Sequence, residues 1–250
     1  MEVILITGGT GVIGEQLVKY FHKKNFQVVF TSTSKSKIEN LYKKCKENIR
    51  PIGIQVNFLK SKPQKVILEK LKKNKIKINH LVNCARSLST LKINKQGTTD
   101  RNNFLNEFLI DVVVPYELSI ALFKSQPIHL KTITNISSQY GLVAANPSLY
   151  KNFLKDSAIQ YGTSKAALHH LTKELAVRFS DKNIRVNCVA FGGIEGRESG
   201  EFRKKYSQLT PSRRMLKKSE VIGPVEYLIS NKNISINGQT IIADGGWTVW

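Results

Sequence analysis

Tyr161 and Lys165, in the stretch Tyr161-Gly162-Thr163-Ser164-Lys165, stand four residues apart, which on a helix puts them on one face. A free phenol ionises near about pH 10, and each unit of downward shift asks for roughly 1.4 kcal/mol of phenolate stabilisation. An ammonium beside the ring supplies that, so the two form a proton-transfer pair, with the phenol as acid in one direction and base in the other. Alone, the spacing equally describes an exposed tyrosine lying over a lysine stem. Its company changes the reading: a glycine-rich turn opens the chain, Asn83 follows an apolar run, and Asn135-Ile136-Ser137-Ser138 ends another, all upstream of Tyr161. Hydride transfer to a carbonyl builds negative charge on the oxygen, and Tyr161 with a hydroxyl from Ser138 or Ser137 supplies the donors aimed at it.

The elements that must position these groups begin with Glu2-Val3-Ile4-Leu5-Ile6, a short apolar run suited to a buried parallel strand. It feeds Thr7-Gly8-Gly9-Thr10-Gly11-Val12-Ile13-Gly14 and then the amphipathic stretch Glu15 to Lys24. In a strand, glycine loop, helix sequence, glycines permit close backbone approach while the amides at the helix start receive a pyrophosphate. Thr7, Gly8, Thr10, Gly11, Val12, Ile13 and Gly14 are therefore cofactor-binding candidates. An acidic residue at the end of the second strand would hold the ribose hydroxyls of NAD. Here Phe26-Gln27-Val28-Val29-Phe30 is followed by Thr31-Ser32-Thr33-Ser34-Lys35-Ser36-Lys37. Hydroxyls of Ser32 and Thr33 beside Lys35 and Lys37 suit a 2′-phosphate, so NADP(H) is favoured over NAD(H); the same lysines also read as a solvated helix start.

Apolar strand candidates recur near Val28, Ile54, His80 to Val82, Thr132 to Ile136, Ile184 to Val189 and Gln239 to Ala243, with helix-like stretches between them, including Asn103 to Phe123 and Gln160 to Phe179. This alternation predicts an α/β fold built on a doubly wound parallel sheet with right-handed crossovers. With no linker or repeat in the 250 residues, the expectation is one domain over 1–250.

These residues together resemble the short-chain dehydrogenase/reductase family over essentially the whole chain. The glycine loop is similar to Thr7 to Gly14, the strand-four Asn-Ala element to Asn83-Cys84-Ala85, the catalytic serine to Ser138, and the Tyr-x-x-x-Lys pair to Tyr161 and Lys165. The Arg-Val-Asn strand resembles Arg185-Val186-Asn187, and the closing element Gly238 to Gly246. The resemblance implies a single Rossmann domain, a catalytic tetrad, cofactor contacts that also include Asn57, Asn83, Ala85, Gly192 and Ile194, a lid over about 191–216, and a dimer or tetramer. Lys165 would lower the phenol pKa and hold the nicotinamide ribose.

Four departures stand out. The second loop glycine falls at Gly11 rather than at Val12, Arg86 follows the Asn-Ala element where a glycine is frequent, and Phe191 replaces a proline before Gly192-Gly193. Arg86 would bind phosphate or point to solvent. Asp111 occupies the position of the tetrad asparagine, and a carboxylate cannot donate the amide's hydrogen bonds. An altered proton relay is expected, with Asp111 holding the charge of the nearby lysine more firmly.

The long stretch from Gln139 to Phe153, including Tyr150, and the basic segment carrying Arg197, Arg203, Lys204, Arg213 and Arg214 are where substrate recognition is expected. Tyr150, Arg197, Arg213 and Arg214 are the candidate substrate contacts, the arginines favouring an anionic substrate. This part of the chain resembles the flagellin modification protein A branch of the family, associated with nonulosonic (legionaminic-type) sugars, which implies a sugar, sugar-phosphate or nucleotide-sugar in surface-glycan synthesis. A 3-oxoacyl-(acyl-carrier-protein) reductase is the alternative enzyme, and a non-catalytic cofactor-binding regulator the alternative of another class.

The formal charge of +21, from 39 basic and 18 acidic residues, would attract nucleic acid, membrane phosphate or an anionic small molecule. The lysines are scattered without aromatic interleaving, which favours solvated faces over a nucleic-acid partner. No apolar run approaches the roughly 20 residues of a membrane span, and a strand beginning at the second residue leaves no signal peptide, so the expectation is a cytoplasmic protein. Cys45, Cys84 and Cys188 are well separated and read as reduced packing residues with no metal site, and His169-His170 as a solvent-facing pair.

Overall fold

Runs rich in Val, Ile and Leu form the strands β1 (Val3–Ile6), β2 (Gln27–Ser32), β3 (Ile52–Gln55), β4 (His80–Asn83), β5 (Thr132–Ser138), β6 (Arg185–Phe191) and β7 (Thr240–Ala243). In the computed structural model, which describes residues 1–250 apart from Glu47, Asn48, Ser61 and Arg197, they make one parallel sheet in the order β3-β2-β1-β4-β5-β6-β7. Strands covered on both faces carry continuous apolar sequence. Accordingly Ile4, Leu5 and Ile6 are all fully buried, with Leu5 in the core on one face of the sheet and Ile4 and Ile6 in the core on the other. The predicted doubly wound α/β architecture is what forms.

The helices that cover the sheet are α1 (Val12–Lys23), α2 (Lys35–Tyr42), α3 (Pro63–Lys73), α4 (Arg101–Phe108), α5 (Val114–Ser125), the short α6 (Phe153–Asp156), α7 (Ile159–Arg178), α8 (Gly200–Leu209) and α9 (Ile222–Ile229). α1 begins three residues before the predicted Glu15, because Val12 and Ile13 already belong to its first turn. The predicted helix over Asn103 to Phe123 is broken: a π-helical turn, Leu109–Val113, separates α4 from α5. Pro115 has no N–H to give to the carbonyl of Asp111 four residues earlier, which loosens the α-helical ladder there. Such turns widen a helix locally and turn a side chain out of its regular register.

The strand order reverses between β1 and β4, and in open α/β sheets the crevice beyond the strand ends at such a switch point takes the ligand. Parallel registry sets Asn83 beside Asn135 and Ser138 beside Phe191, so β5 and β6 finish together, three residues beyond the level at which β4 ends. The segment after β6 is tied at its base: Ile194 bridges to Leu216, and the Leu216 amide donates to the Gly193 carbonyl at 2.8 Å.

Candidate active site

A cleft of about 1870 Å³ opens along the carboxyl ends of the strands, larger than the roughly 300–1,000 Å³ of an ordinary small-molecule pocket. One end is the glycine turn. Gly8 has φ +65°, and a Cβ there would sit 2.7 Å from Ala85 Cα, while a Cβ on Gly14 would come within 2.3 Å of the Gly8 carbonyl oxygen. The turn is therefore a close-packed cradle that side chains cannot enter. No side chain caps α1 at Gly11, and Thr10, Gly11, Val12, Ile13 and Gly14 line the cleft. An uncapped helix start facing a cleft fits a pyrophosphate. Beyond it, Thr10 Oγ1 and Ser32 Oγ share a hydrogen bond of 2.7 Å, and Ser32, Thr33, Lys37 and Asn57 line the same end. Lys37 reaches the cleft; Lys35 is exposed and outside its lining.

The structure brings Ser138, Tyr161 and Lys165 to the middle of the cleft, with Ala85, Gly192 and Ile194 around them and Tyr150 toward the far end. Ser138 closes β5, where its Oγ accepts from the Tyr140 amide at 3.2 Å. Tyr161 is in the first turn of α7 and Lys165 one turn later, with Lys165 Nζ 5.8 Å from the centre of the Tyr161 ring. Lys165 Nζ donates to Asp111 Oδ1 at 3.0 Å and to the Ile136 carbonyl at 3.1 Å. Asp111 stands in the π-helical turn and also accepts from Ser164 Oγ at 2.8 Å. Both charges are buried, at 1 % exposure for Asp111 and 5 % for Lys165. Burial alone would push the Lys165 ammonium down, but the Asp111 carboxylate and then Tyr161 outweigh it, and the net shift is upward. Arg86 is exposed at the cleft, as one of its two expectations had it, and its guanidinium lies 4.4 Å from the centre of the Tyr161 ring, a cation–π contact.

Several expected contacts fall elsewhere. Thr7 and Asn83 lie behind the cleft rather than in its wall. Thr7 Oγ1 accepts from the amides of Cys84 and Ala85 at 2.9 and 3.0 Å, and Asn83 Nδ2 donates to Asn135 Oδ1 at 2.8 Å, so they tie β1 to the end of β4 and β4 to β5. Arg213 and Arg214 are also outside the lining. Arg213 bonds the Gln208 carbonyl, and Arg214 is held by both oxygens of Glu220 at 2.6 and 2.7 Å, a bond that draws the Glu220 carboxyl down to about 2. Local carboxylate and carbonyl partners hold the two guanidiniums that the sequence reading assigns to substrate. Arg197 lies outside the described residues. Among the described residues, the end of the cleft away from the glycine turn is instead lined by Tyr140, Tyr150, Phe153 and Phe202 with Lys151, Asp156, Glu195, Glu198 and Glu201.

His169 is the other correction. It is buried, with Nε2 2.7 Å from Ser137 Oγ and Nδ1 3.0 Å from Thr240 Oγ1, while His170 alone faces solvent. Position 169 follows Lys165 by one helical turn, so it shares the inward face of α7. Burial, and then the neighbouring Lys165, hold its imidazole below the usual range. Burial likewise pushes the Cys84 and Cys188 thiols up to about 12, which leaves them inert packing groups.

Two side chains near the site escaped the sequence reading. Gln160, fully buried, accepts from Thr99 Oγ1 at 2.7 Å and donates to the Thr90 carbonyl at 2.9 Å, binding the loop after β4 to the residue before Tyr161. Glu107, also fully buried, stands four residues before Asp111. The available signal was its position: it shares a helical face with Asp111, between Phe104 and Phe108.

A sequence profile described as Enoyl-(Acyl carrier protein) reductase matches residues 10–248. The post-translational flagellin modification protein A of Campylobacter coli is 25% identical over 98% of both chains. A short-chain dehydrogenase from Leptospira borgpetersenii, solved with bound NAD+, is 28% identical with a TM-score of 0.86, covering 99% of this chain and 92% of that one. ElxO, solved with NADP bound, is 27% identical with a TM-score of 0.83, covering 100% and 99%.

Proposed function

Because the chain belongs to the short-chain dehydrogenase/reductase family and is an NAD(P)-dependent oxidoreductase, we propose that it interconverts a carbonyl and an alcohol on a sugar, sugar-phosphate or nucleotide-sugar, with NADP(H) preferred. A bound nicotinamide would supply the hydride; Tyr161 would exchange the proton with the substrate oxygen, Ser138 would orient that oxygen, and Lys165, held charged by its contact with Asp111, would hold the ribose and lie beside the phenol. The observation that carries this reading is the convergence of Ser138, Tyr161 and Lys165 on one cleft with the glycine cradle. The preference for NADP(H) is supported by Ser32, Thr33 and Lys37 at the cleft end, hydroxyls and a cation with no carboxylate among them.

The sugar is supported by similarity to the flagellin modification protein and by a far end that pairs aromatic surfaces with polar groups. There Tyr150 donates to the Tyr140 hydroxyl at 3.4 Å, and Lys151 pairs with Glu201 at 3.4 Å. Flat apolar faces rimmed by hydrogen-bonding groups suit a ring bearing hydroxyls. In this reading Arg213 and Arg214 play no part in binding substrate, and any anionic group of the substrate is recognised elsewhere. The protein acts in the cytoplasm as a dimer or tetramer, joined through α4, α5 and α7, where Leu105, Tyr116 and Val177 are exposed. No described helix is long and apolar enough to cross a membrane.

The test is a fluorescence titration with NADPH and NADH, followed by cofactor-oxidation assays on keto-sugars, nucleotide-keto-sugars and 3-oxoacyl thioesters. Tighter NADPH binding and turnover of a sugar support the proposal. Turnover of acyl thioesters alone replaces it with the acyl reductase. Cofactor binding with no turnover and salt-sensitive RNA binding would favour the regulator.

A further inference from the structure

We propose that Glu107 is a positioning residue for the Tyr161 and Lys165 pair, and that it acts as a neutral carboxylic acid. Its proton closes a Glu107–Thr90–Ser87 chain that fixes the loop carrying Arg86, and leaves Asp111 as the single carboxylate facing Lys165. The inference rests on Tyr161 and Lys165 being the proton-transfer pair.

Hydrogen counting comes first. The Thr90 hydroxyl is hydrogen-bonded to Glu107 Oε2 and also lies 2.9 Å from the Ser87 carbonyl. A carbonyl only accepts, and a threonine hydroxyl has one proton to give. Both contacts are satisfied at once when Thr90 donates to Ser87 and Glu107 donates to Thr90, which requires a protonated Glu107. Ionised, the carboxylate would need the Thr90 proton for itself and would release Ser87.

The surroundings favour the same state. Glu107 is fully buried, and among the described residues its Oε1 has no hydrogen-bond partner. An unpartnered oxygen of a neutral acid costs far less in a dry site than one of a carboxylate. The charged groups that act on it are Asp111 on its own helical stretch, Lys165 on α7, and Arg86 on the loop after β4. Burial and then Asp111 push the Glu107 carboxyl up to about 7, against the weaker opposing pull of Thr90, Lys165 and Arg86. Asp111 is already engaged by Lys165 and Ser164, so Glu107 is the member of the couple that keeps the proton.

The consequence reaches the cleft through the loop. Arg86, Ser87, Leu88 and Ser89 all line it, and Gln160 grips the same loop from the residue before Tyr161. Loss of the Glu107 proton to solvent would free Ser87 and set a second buried negative charge near Lys165, in a site that must accept an anionic cofactor.

Two measurements test this. In protein labelled at the glutamate side-chain carboxyl carbon, one resonance is expected to titrate near neutrality and to vanish in Glu107→Gln; if every glutamate finishes titrating in the ordinary acid range, the neutral acid is refuted, and this needs only the wild type. NADPH affinity, followed by fluorescence from about pH 6 to about pH 8.5, should fall several-fold in the wild type and stay level in Glu107→Gln. Parallel profiles overturn the positioning role, since a purely structural residue would shift both alike. Neither readout requires turnover, so a failure of the Tyr161 assignment, read by Tyr161→Phe, remains separate.

Discussion

Tyr161 and Asp111 make opposite demands on their neighbours, and substitutions at each should read differently. Tyr161→Phe keeps the ring under Arg86 and removes only the hydroxyl, so kcat should fall by about 10²–10⁴ while cofactor Kd is unchanged, the span attributed to one general acid. Loss of cofactor binding to the same degree would deny Tyr161 that role. Asp111→Asn leaves a buried ammonium without its counter-charge, a change that costs about 3–5 kcal/mol where a buried pair is broken. The Lys165 pKa would then drop, and the alkaline limb of the rate profile should move to lower pH. An unchanged rate and pH profile would show that Asp111 does no more than an asparagine.

At the level of elements, the glycine turn and the broken helix α4–α5 do the positioning. Gly14→Ala would drive its Cβ against the Gly8 carbonyl oxygen at 2.3 Å and Gly9 Cα at 2.8 Å, both backbone atoms that cannot turn aside. The turn must open, and calorimetry should record loss of NADPH binding with little loss of secondary structure. Tight binding by that variant would remove the turn from the site. The π-helical turn explains how Asp111 reaches Lys165 while Glu107 stays beneath the loop after β4, and its cause, Pro115, is a single residue whose missing N–H acts on the carbonyl of Asp111.

Over the whole molecule, buried titratable groups govern how stability responds to pH. His80 and His169 are held below the ordinary histidine range, in both cases by burial first. Their folded values lie beneath the unfolded value near about 6.5, so as pH falls through that value the unfolded chain binds more protons and stability is lost. Glu107 runs the other way: its folded value of about 7 exceeds the unfolded one, and it destabilises the fold as pH rises between them. Relative to wild type, His169→Gln should flatten the fall in Tm from about pH 7 to about pH 5. Parallel curves would show that His169 is not held neutral.

Most of the strand positions and the glycine turn were legible because their signals are local: β-branched runs, glycines at a strand-helix junction, and an i,i+4 spacing within one helix. That Ser138, Tyr161 and Lys165 would meet on one cleft was legible once they were joined to the family pattern. What sequence misjudged depends on partners distant along the chain. Arg214 is withdrawn from the cleft by Glu220, and Thr7 is engaged by amides 77 and 78 residues away. His169, expected from sequence to face solvent, is enclosed by Ser137 on β5 and Thr240 on β7. The proton of Glu107 is set by a hydroxyl 17 residues earlier and a carbonyl beyond it. Periodicity specifies which face of an element turns inward, but the groups that meet there, and so their charge, are chosen by packing between elements.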